Sequence, residues 1–424
     1  MKYKWEFVAL STIYIAVVFW FEAYWFLLPL IILMVYGLFK NDAIIPIFIS
    51  LSIFSNAHFI MEREVTLENS VKVVDVKTNS FYVESGGEKI YILEKPPDEL
   101  SPGDEVSIYG EIEAIEGDQF ALGIYSNNCS YIVSDAIIME VDYKDSYRNE
   151  LYRSILEEES SKSNYLTSLL YKRNNEDNEY IFDYATELGI SHLFVISGFH
   201  VSLFMSLITK VIKGKKGEVL SIVICGSFLY LLFFPLSGVR ALLMAIFNLW
   251  EQPTRTTSLC MSATIMSIWN PYVLFGYSMI LSYGITLIIL ILGQYLGKGI
   301  KANIIVGLTA FTYSFSVVSI WQDEMNLLSP VYSIILTPII SILYMFLIPN
   351  MFIPIDSFGD NILGIVDSLF IFLSSFKLTL ETFNINYYQM IIMNISLLFM
   401  ISCYKDWTTY IWIPLILNIL WMYN

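Results

Sequence analysis

Apolar runs of bilayer-spanning length recur along almost the whole chain, and nothing else constrains the fold as strongly. A run of about 17–25 apolar residues reads as a membrane helix. The chain is 56% hydrophobic and only 15% charged, against about 25% charge in soluble domains. It is therefore read as a polytopic α-helical membrane protein. A formal net charge of −16 disfavours a general nucleic-acid-binding surface. Cys129, Cys225, Cys260 and Cys403 have neither metal-ligand spacing nor a disulfide framework.

In order, Lys2 and Lys4 precede an apolar run at about Phe7–Phe21, read as a retained first helix rather than a cleaved signal. Runs at about Tyr24–Phe39 and Ala43–Ile60 follow, and together these make an N-terminal membrane region, residues 1–61. Lysines mark the inner side, so the N-terminus is expected in the cytoplasm and residues 62–144 outside. That segment reads as strands. Val106, Ile108, Gly110, Ile112 and Ala114 alternate with Glu105, Ser107, Tyr109, Glu111 and Glu113, a period of two. Pro102-Gly103-Asp104 is a turn, Gly86-Gly87 a hairpin. Val71, Val73, Phe81, Val83, Tyr91 and Leu93 are expected to face inward with them. Five or six short strands suit a small inserted β-barrel, OB-like, with an SH3-like barrel or small sandwich as alternatives. Its surface carries Glu94, Asp98, Glu99, Asp104, Glu105, Glu111, Glu113, Glu116 and Asp118. Such a surface repels phosphate, which favours a structural or docking module. Residues 145–190 read as amphipathic interfacial helices, and 191–424 as the main membrane domain. There Ser191–Leu207 is one crossing, ending at Lys210, Lys213, Lys215 and Lys216 on the expected cytoplasmic side. About 11–13 membrane segments are expected by length, several broken by Pro235, Pro271, Pro330 and Pro338.

The most informative stretch is Gly189–Val201, GISHLFVISGFHV. On a continuous helix, His192, Ile196 and His200 share one face, and Ser191 and Gly198 lie nearly in line with each other. Polar side chains are costly in a membrane segment unless they face protein or water. The stretch is thus a helix-packing seam or the lining of a wet path. Ser197 beside His200 also admits an intramembrane serine hydrolase. Small residues at Ser197-Gly198 explain the same pair by helix packing. Two histidines do not make a metal site, and neither a metal nor another cofactor is expected. Arg240, in PLSGVRALLMA after Ser237, either snorkels to headgroups or faces a cavity suited to an anion. Asp323 and Glu324 are expected in an outer loop, and Asp356, Asp360 and Asp367 around a later break.

These residues resemble the ComEC-type competence protein family, the proposed inner-membrane DNA channel of natural transformation. GISHLFVISGFHV is close to its Gly-Leu-Ser-His-Leu…Ser-Gly-Leu-His-Val signature. VRALLMA at Val239–Ala245, Trp269-Asn270-Pro271 with Leu281-Ser282-Tyr283, and Leu328-Ser329-Pro330 through Pro338 are similar to further elements in the same order. Ser333 stands where an asparagine is usual. The resemblance implies passage of single-stranded DNA through the bacterial cytoplasmic membrane, without catalysis by this chain. It makes His192, Ser197, His200 and Arg240 candidates to line the path. Gly189, Ser191, Gly198, Ser237, Pro271, Ser282, Ser329, Pro330 and Pro338 would shape it. No P-loop pattern is present, so the implied partners are a separate cytoplasmic ATPase motor and an extracellular DNA receptor, with homo-oligomerisation left open. Many members carry a C-terminal metallo-β-lactamase-like domain. No histidine follows His200 here, so a separate nuclease is expected. Cys129 is alone in its segment, which excludes the barrel disulfide of some relatives. A small-solute transporter is the other alternative.

Overall fold

The structure is a computed structural model that describes residues 4–20, 27–28, 30, 44–60, 65–115, 119–158, 160–173, 177–194, 196–251, 254–296, 299–320, 322, 324–352, 356–376, 378–381 and 387–403. The expected runs at 24–39 and 410–423 lie almost wholly outside these residues, as do Lys2, Lys40, Glu116, Asp118, Lys298, Asp323 and Lys405. Three described helices are long and apolar enough to cross a membrane, Tyr277–Tyr295, Ile300–Val318 and Ser329–Asn350. Shorter apolar helices cover Trp5–Trp20, Ile47–Phe59, Gly198–Val211, Leu236–Leu249, Asn361–Ser374 and Gln389–Leu398. The chain is a membrane protein. It divides into two units, Met1–Ser154 with Val201–Met279, and Ile155–His200 with Ile280–Asn424.

In the first unit, the Lys4–Trp20 helix packs against the Ile44–Ile60 and Arg255–Trp269 helices. Between these helices in sequence lies a seven-stranded sheet. Its strands are β1 (Val71–Val76), β2 (Phe81–Ser85), β3 (Glu88–Ile92), β4 (Glu105–Tyr109), β5 (Glu113–Ala114), β6 (Tyr131–Val133) and β7 (Ile137–Asp142). Their order is β5-β6-β3-β2-β1-β4-β7. The expected closed barrel is not formed. β4 is flanked by β1 and β7, so it does not close onto the β5–β6 end, and the sheet is open. The two ends nevertheless come near each other. A Cβ on Gly110, just past β4, would lie 2.4 Å from Val133 Cγ1 in β6.

The β2–β3 hairpin forms as its sequence dictates. Gly86 and Gly87 take φ of +60° and +82°, the left-handed pair that a two-residue turn needs. That turn sets Ser85 opposite Glu88, Val83 opposite Ile90 and Phe81 opposite Ile92. The inward residues of β3 are therefore Ile90 and Ile92, both fully buried, and not the expected Tyr91 and Leu93. A one-residue change of register exchanges the faces. Val71, Val73, Phe81, Val83, Val106 and Ile108 are buried in the core as expected. Ala114 is exposed.

The second face of the sheet carries Tyr82, Tyr91 and Cys129, covered by Ile124 of the Gln119–Tyr125 helix. The Lys89 ammonium lies 4.4 Å over the Tyr82 ring and donates to Asn127 O. Burial pushes the Cys129 thiol up to about 12, and the thiol faces the carbonyls of Lys89 and Tyr131, acceptors within 3.2 Å of its sulfur.

Asp104, expected on the acidic surface, is fully buried. The turn it closes aims its carboxylate at the Tyr147–Leu156 helix. It accepts from Ser101 N at 2.8 Å, Ser101 Oγ at 3.0 Å, Lys144 N at 2.9 Å, Asn149 Nδ2 at 3.3 Å and Arg153 Nη2 at 2.6 Å. These donors compensate the loss of water around the charge.

The Asn270 side chain fastens the sheet to the helices of this unit. Its Nδ2 donates to Tyr125 O at 3.0 Å and Ser126 O at 2.9 Å, capping the end of the Gln119–Tyr125 helix. Its Oδ1 accepts from Tyr272 N. Trp20, Phe59, Tyr125 and Tyr272 close around this point, with ring centroids 5.0–5.6 Å apart.

In the second unit, the Ser161–Leu166 helix continues as a π-helical turn, Thr167–Tyr171. The Glu179–Glu187, Tyr277–Tyr295, Ile300–Val318, Ser329–Asn350, Asp356–Ser374 and Tyr387–Cys403 helices follow; Tyr277–Met279, the start of the second, belongs to the first unit. A ribbon of β8 (Glu324–Asn326) and β9 (Thr379–Glu381) completes it. Leu166, Leu169, Leu170 and Ile181 are buried.

Two outcomes test this packing. Arg153→Ala leaves the Asp104 charge buried without its ionic partner, so local stability should fall by about 3–5 kcal/mol, read as faster hydrogen exchange of the β4 amides. In a chain whose other three cysteines are alanine, Cys129 alkylation should rise tenfold per pH unit up to about 12. A thiol of ordinary pKa would level off near pH ~8.5.

Candidate functional site

The Gly189–Val201 stretch is not one helix. The Glu179–Glu187 helix ends at Gly189, whose φ is +67°. Gly189 N donates to Thr186 O at 3.0 Å and Ile190 N to Ala185 O at 2.8 Å, a Schellman ending. Ser191–Phe194 then forms a 3-10 turn, and a new helix runs over Gly198–Val211. The expected common face of His192, Ile196 and His200 is therefore lost. His192 is exposed, whereas Ile196 and His200 are buried. An apolar run reads as continuous, but a left-handed glycine and a serine before Gly-Phe-His stop and restart it.

Ser197 precedes the new helix and His200 is its third residue. His200 Nδ1 accepts from Ser197 N at 3.2 Å, and Ser197 Oγ lies 3.2 Å from the same nitrogen. His200 thus occupies the place of the glutamate in a capping box, reaching back to the first amide of the turn. A base acting on Ser197 needs the Nδ1 lone pair for the hydroxyl proton. Here the backbone N–H already shares it. The contact is that of a helix start, and the serine-hydrolase reading is not favoured. The His200 ring packs on Tyr344, centroids 4.1 Å apart. The Tyr344 hydroxyl donates to Leu169 O at 2.9 Å, in the π-helical turn.

The Ser-Pro element meets this stretch directly. A Cβ on Gly189 would lie 2.7 Å from Ser329 Cβ. Asn326 Nδ2 donates to Glu187 O at 2.9 Å, and its Oδ1 accepts from Leu328 N. Ser191 Oγ lies 3.5 Å from Thr186 Oγ1. Pro330 sits in the first turn of the Ser329–Asn350 helix and Pro338 inside it. Beside Ser282, the Tyr313 hydroxyl donates to Ile280 O at 3.1 Å. Gly189, Ser329, Ser197 and His200 are thus joints between elements of one unit.

Arg240 belongs to the other unit. It is the fifth residue of the Leu236–Glu251 helix and only 5% exposed, so its side chain is covered by protein. Its Nη1 lies 3.4 Å from Met244 Sδ, one turn on. Ser237 is buried one turn before it and Pro271 is buried beside Asn270. The helix is entered through a strained turn in which Phe233 and Phe234 have φ of +58° and +55°, values that non-glycine residues rarely adopt. The Arg148 guanidinium lies 4.8 Å over the Phe233 ring and 5.1 Å over the Tyr230 ring. Lys210, Lys213, Lys215 and Lys216 are all exposed around the turn between the Gly198–Val211 and Lys215–Leu231 helices. Among the described residues, no three His, Cys, Asp or Glu side chains converge as a metal site would require.

Residues 175–413 match the family described as Competence protein. The chain belongs to the competence protein family. The matched stretch includes Gly189–Val201, Arg240, Asn270-Pro271 and Ser329–Pro338. An uncharacterized protein of Aquifex aeolicus (strain VF5) is 27% identical over 162 residues, which cover 36% of this chain and 38% of that protein. The match thus spans well under half of that relative's length. No solved structure matches the chain.

Sequence reasoning missed Tyr344, Asn326 and the Phe233-Phe234 turn. Tyr344 was open to discovery, because a tyrosine in an apolar run needs a hydroxyl partner when buried. Gly189→Ala should destabilise the second unit by about 1–2 kcal/mol from backbone strain, with the Ser329 contact adding to it. Combining it with Ser329→Gly should recover the steric part only, as measured by thermal unfolding of the solubilised protein.

Proposed function

We propose that this competence-family protein acts in DNA uptake and passes a single strand of DNA across the bacterial cytoplasmic membrane. The observation that carries this reading is the family match over residues 175–413. In support, the matched stretch keeps His192, Ser197, His200 and Arg240 among apolar helices, where hydrophilic side chains are costly unless used. Arg240 supplies a fixed positive charge, and a guanidinium pairs well with phosphate oxygens. Ser197 and His200 act by shaping the helix start rather than by reaction, and the chain is not itself an enzyme.

In this reading the chain crosses the membrane several times, with its N-terminus inside and the sheet outside. The lysines at 210–216 lie on the cytoplasmic side, where strand and motor meet. That motor is a separate ATPase, and a separate nuclease removes the other strand. A DNA receptor delivers the substrate to the outer face.

Deleting the gene should abolish entry of labelled DNA into the cytoplasm while leaving surface binding intact. Arg240→Ala should reproduce that loss at unchanged protein level, with Arg240→Lys retaining part of the uptake. Normal uptake in Arg240→Ala would remove this residue from the path, and normal uptake in the deletion would overturn the function.

A further inference from the structure

Asp367 lies inside the Asp356–Ser374 helix, not at the expected break, and it is half-buried. The Tyr165 hydroxyl, on a fully buried ring, donates to its Oδ1 at 2.6 Å. Among the described residues, no lysine, arginine or histidine forms an ion pair with this carboxylate. The Ser161–Leu166 and Glu179–Glu187 helices pack against its helix. They face it with Tyr165, Tyr180 and Tyr184. The other charged groups point elsewhere. Lys162 is paired with Glu158 at 2.6 Å, and Glu179, Asp183 and Glu187 are exposed. His192, on the turn whose Phe194 ring meets Phe370, is exposed as well.

We propose that Asp367 and Tyr165 form a proton-binding pair whose state is passed to the Ser197–His200 helix start. The charged carboxylate accepts the phenol proton. Once protonated, the carboxyl keeps a carbonyl oxygen that accepts from Tyr165, but that bond loses its ionic assistance and the new O–H needs an acceptor of its own. Tyr165 is in the last turn before the π-helical segment Thr167–Tyr171, a geometry found disproportionately at functional sites. Leu169 in that segment receives the Tyr344 hydroxyl, and Tyr344 carries the His200 ring. Asp367, Tyr165, Leu169, Tyr344, His200 and Ser197 therefore form one contiguous chain of contacts within the second unit. The bond that changes on protonation is at one end of it, and the restart of the signature helix is at the other. The inference requires no DNA and stands independently of the channel reading.

The test uses the whole protein in nanodiscs with labelled histidine. Infrared difference spectra between low and high pH should show a protonated-carboxyl band that Asp367→Asn removes. The His200 imidazole resonance, assigned with His200→Gln, should shift with the same midpoint as that band. This shared step should be lost in Asp367→Asn and displaced in Tyr165→Phe, which keeps the ring that fills the site. A band unaffected by Asp367→Asn would overturn the proton site. A His200 titration unchanged in both variants would overturn the coupling. If Asp367→Asn does not fold, Tyr165→Phe decides: an unmoved midpoint rejects the pair.

Discussion

A chain that places most of its backbone among apolar helices must satisfy its peptide groups from within, and the helix ends make this hardest. This protein meets the demand repeatedly in one way. A side chain distant in sequence donates to a carbonyl where a helix stops, turns or loosens. Asn270 reaches Tyr125 and Ser126, Asn326 reaches Glu187, and Tyr344 reaches Leu169. Tyr332 does the same for Phe376, at the end of the Asp356–Ser374 helix. Each bond does two things at once: it removes an orphan acceptor and fixes one element against another. The elements are therefore located by polar contacts set in an apolar packing that has little direction of its own.

Charge obeys the same rule with larger penalties. Asp104 is tolerated at zero exposure because five donors surround it. Lys162 is tolerated because Glu158 lies 2.6 Å away. The charges of Lys210, Lys213, Lys215 and Lys216, by contrast, stay on the surface. The acidic balance of the whole chain therefore says little about any one site. What matters is which charges are covered and what covers them.

How much of this was legible in the sequence depended on the range of the interaction. Gly86-Gly87 reads as a two-residue turn because everything that decides it is local. The face of β3 was misread for want of one further step, since pairing across that same turn dictates Ile90 and Ile92. Barrel closure could not be read, because it depends on whether β4 meets β5–β6 or β7, and alternation is identical in both cases. Asp104 looked like surface charge because its partners Lys144, Asn149 and Arg153 lie 40 to 49 residues away. The family signature was legible as a signature, and its membership holds over 175–413. Its shape was not, because hydropathy cannot see a left-handed residue at Gly189 or a helix start at Ser197.

That shape alters what the signature side chains can do. On one continuous helix, the two imidazoles would have shared a face. In the broken arrangement, Ser197 and His200 direct polar atoms at each other and at the backbone, and His200 is additionally covered by Tyr344. Residues so placed fix the start of the helix that opens at Gly198. They are poorly placed to bind a passing phosphate. Under the channel reading, direct contact within the second unit then falls to exposed His192. A glycine, a serine and a histidine in the signature are explained by the joint they build, and any effect of changing them on transport has to act through that joint.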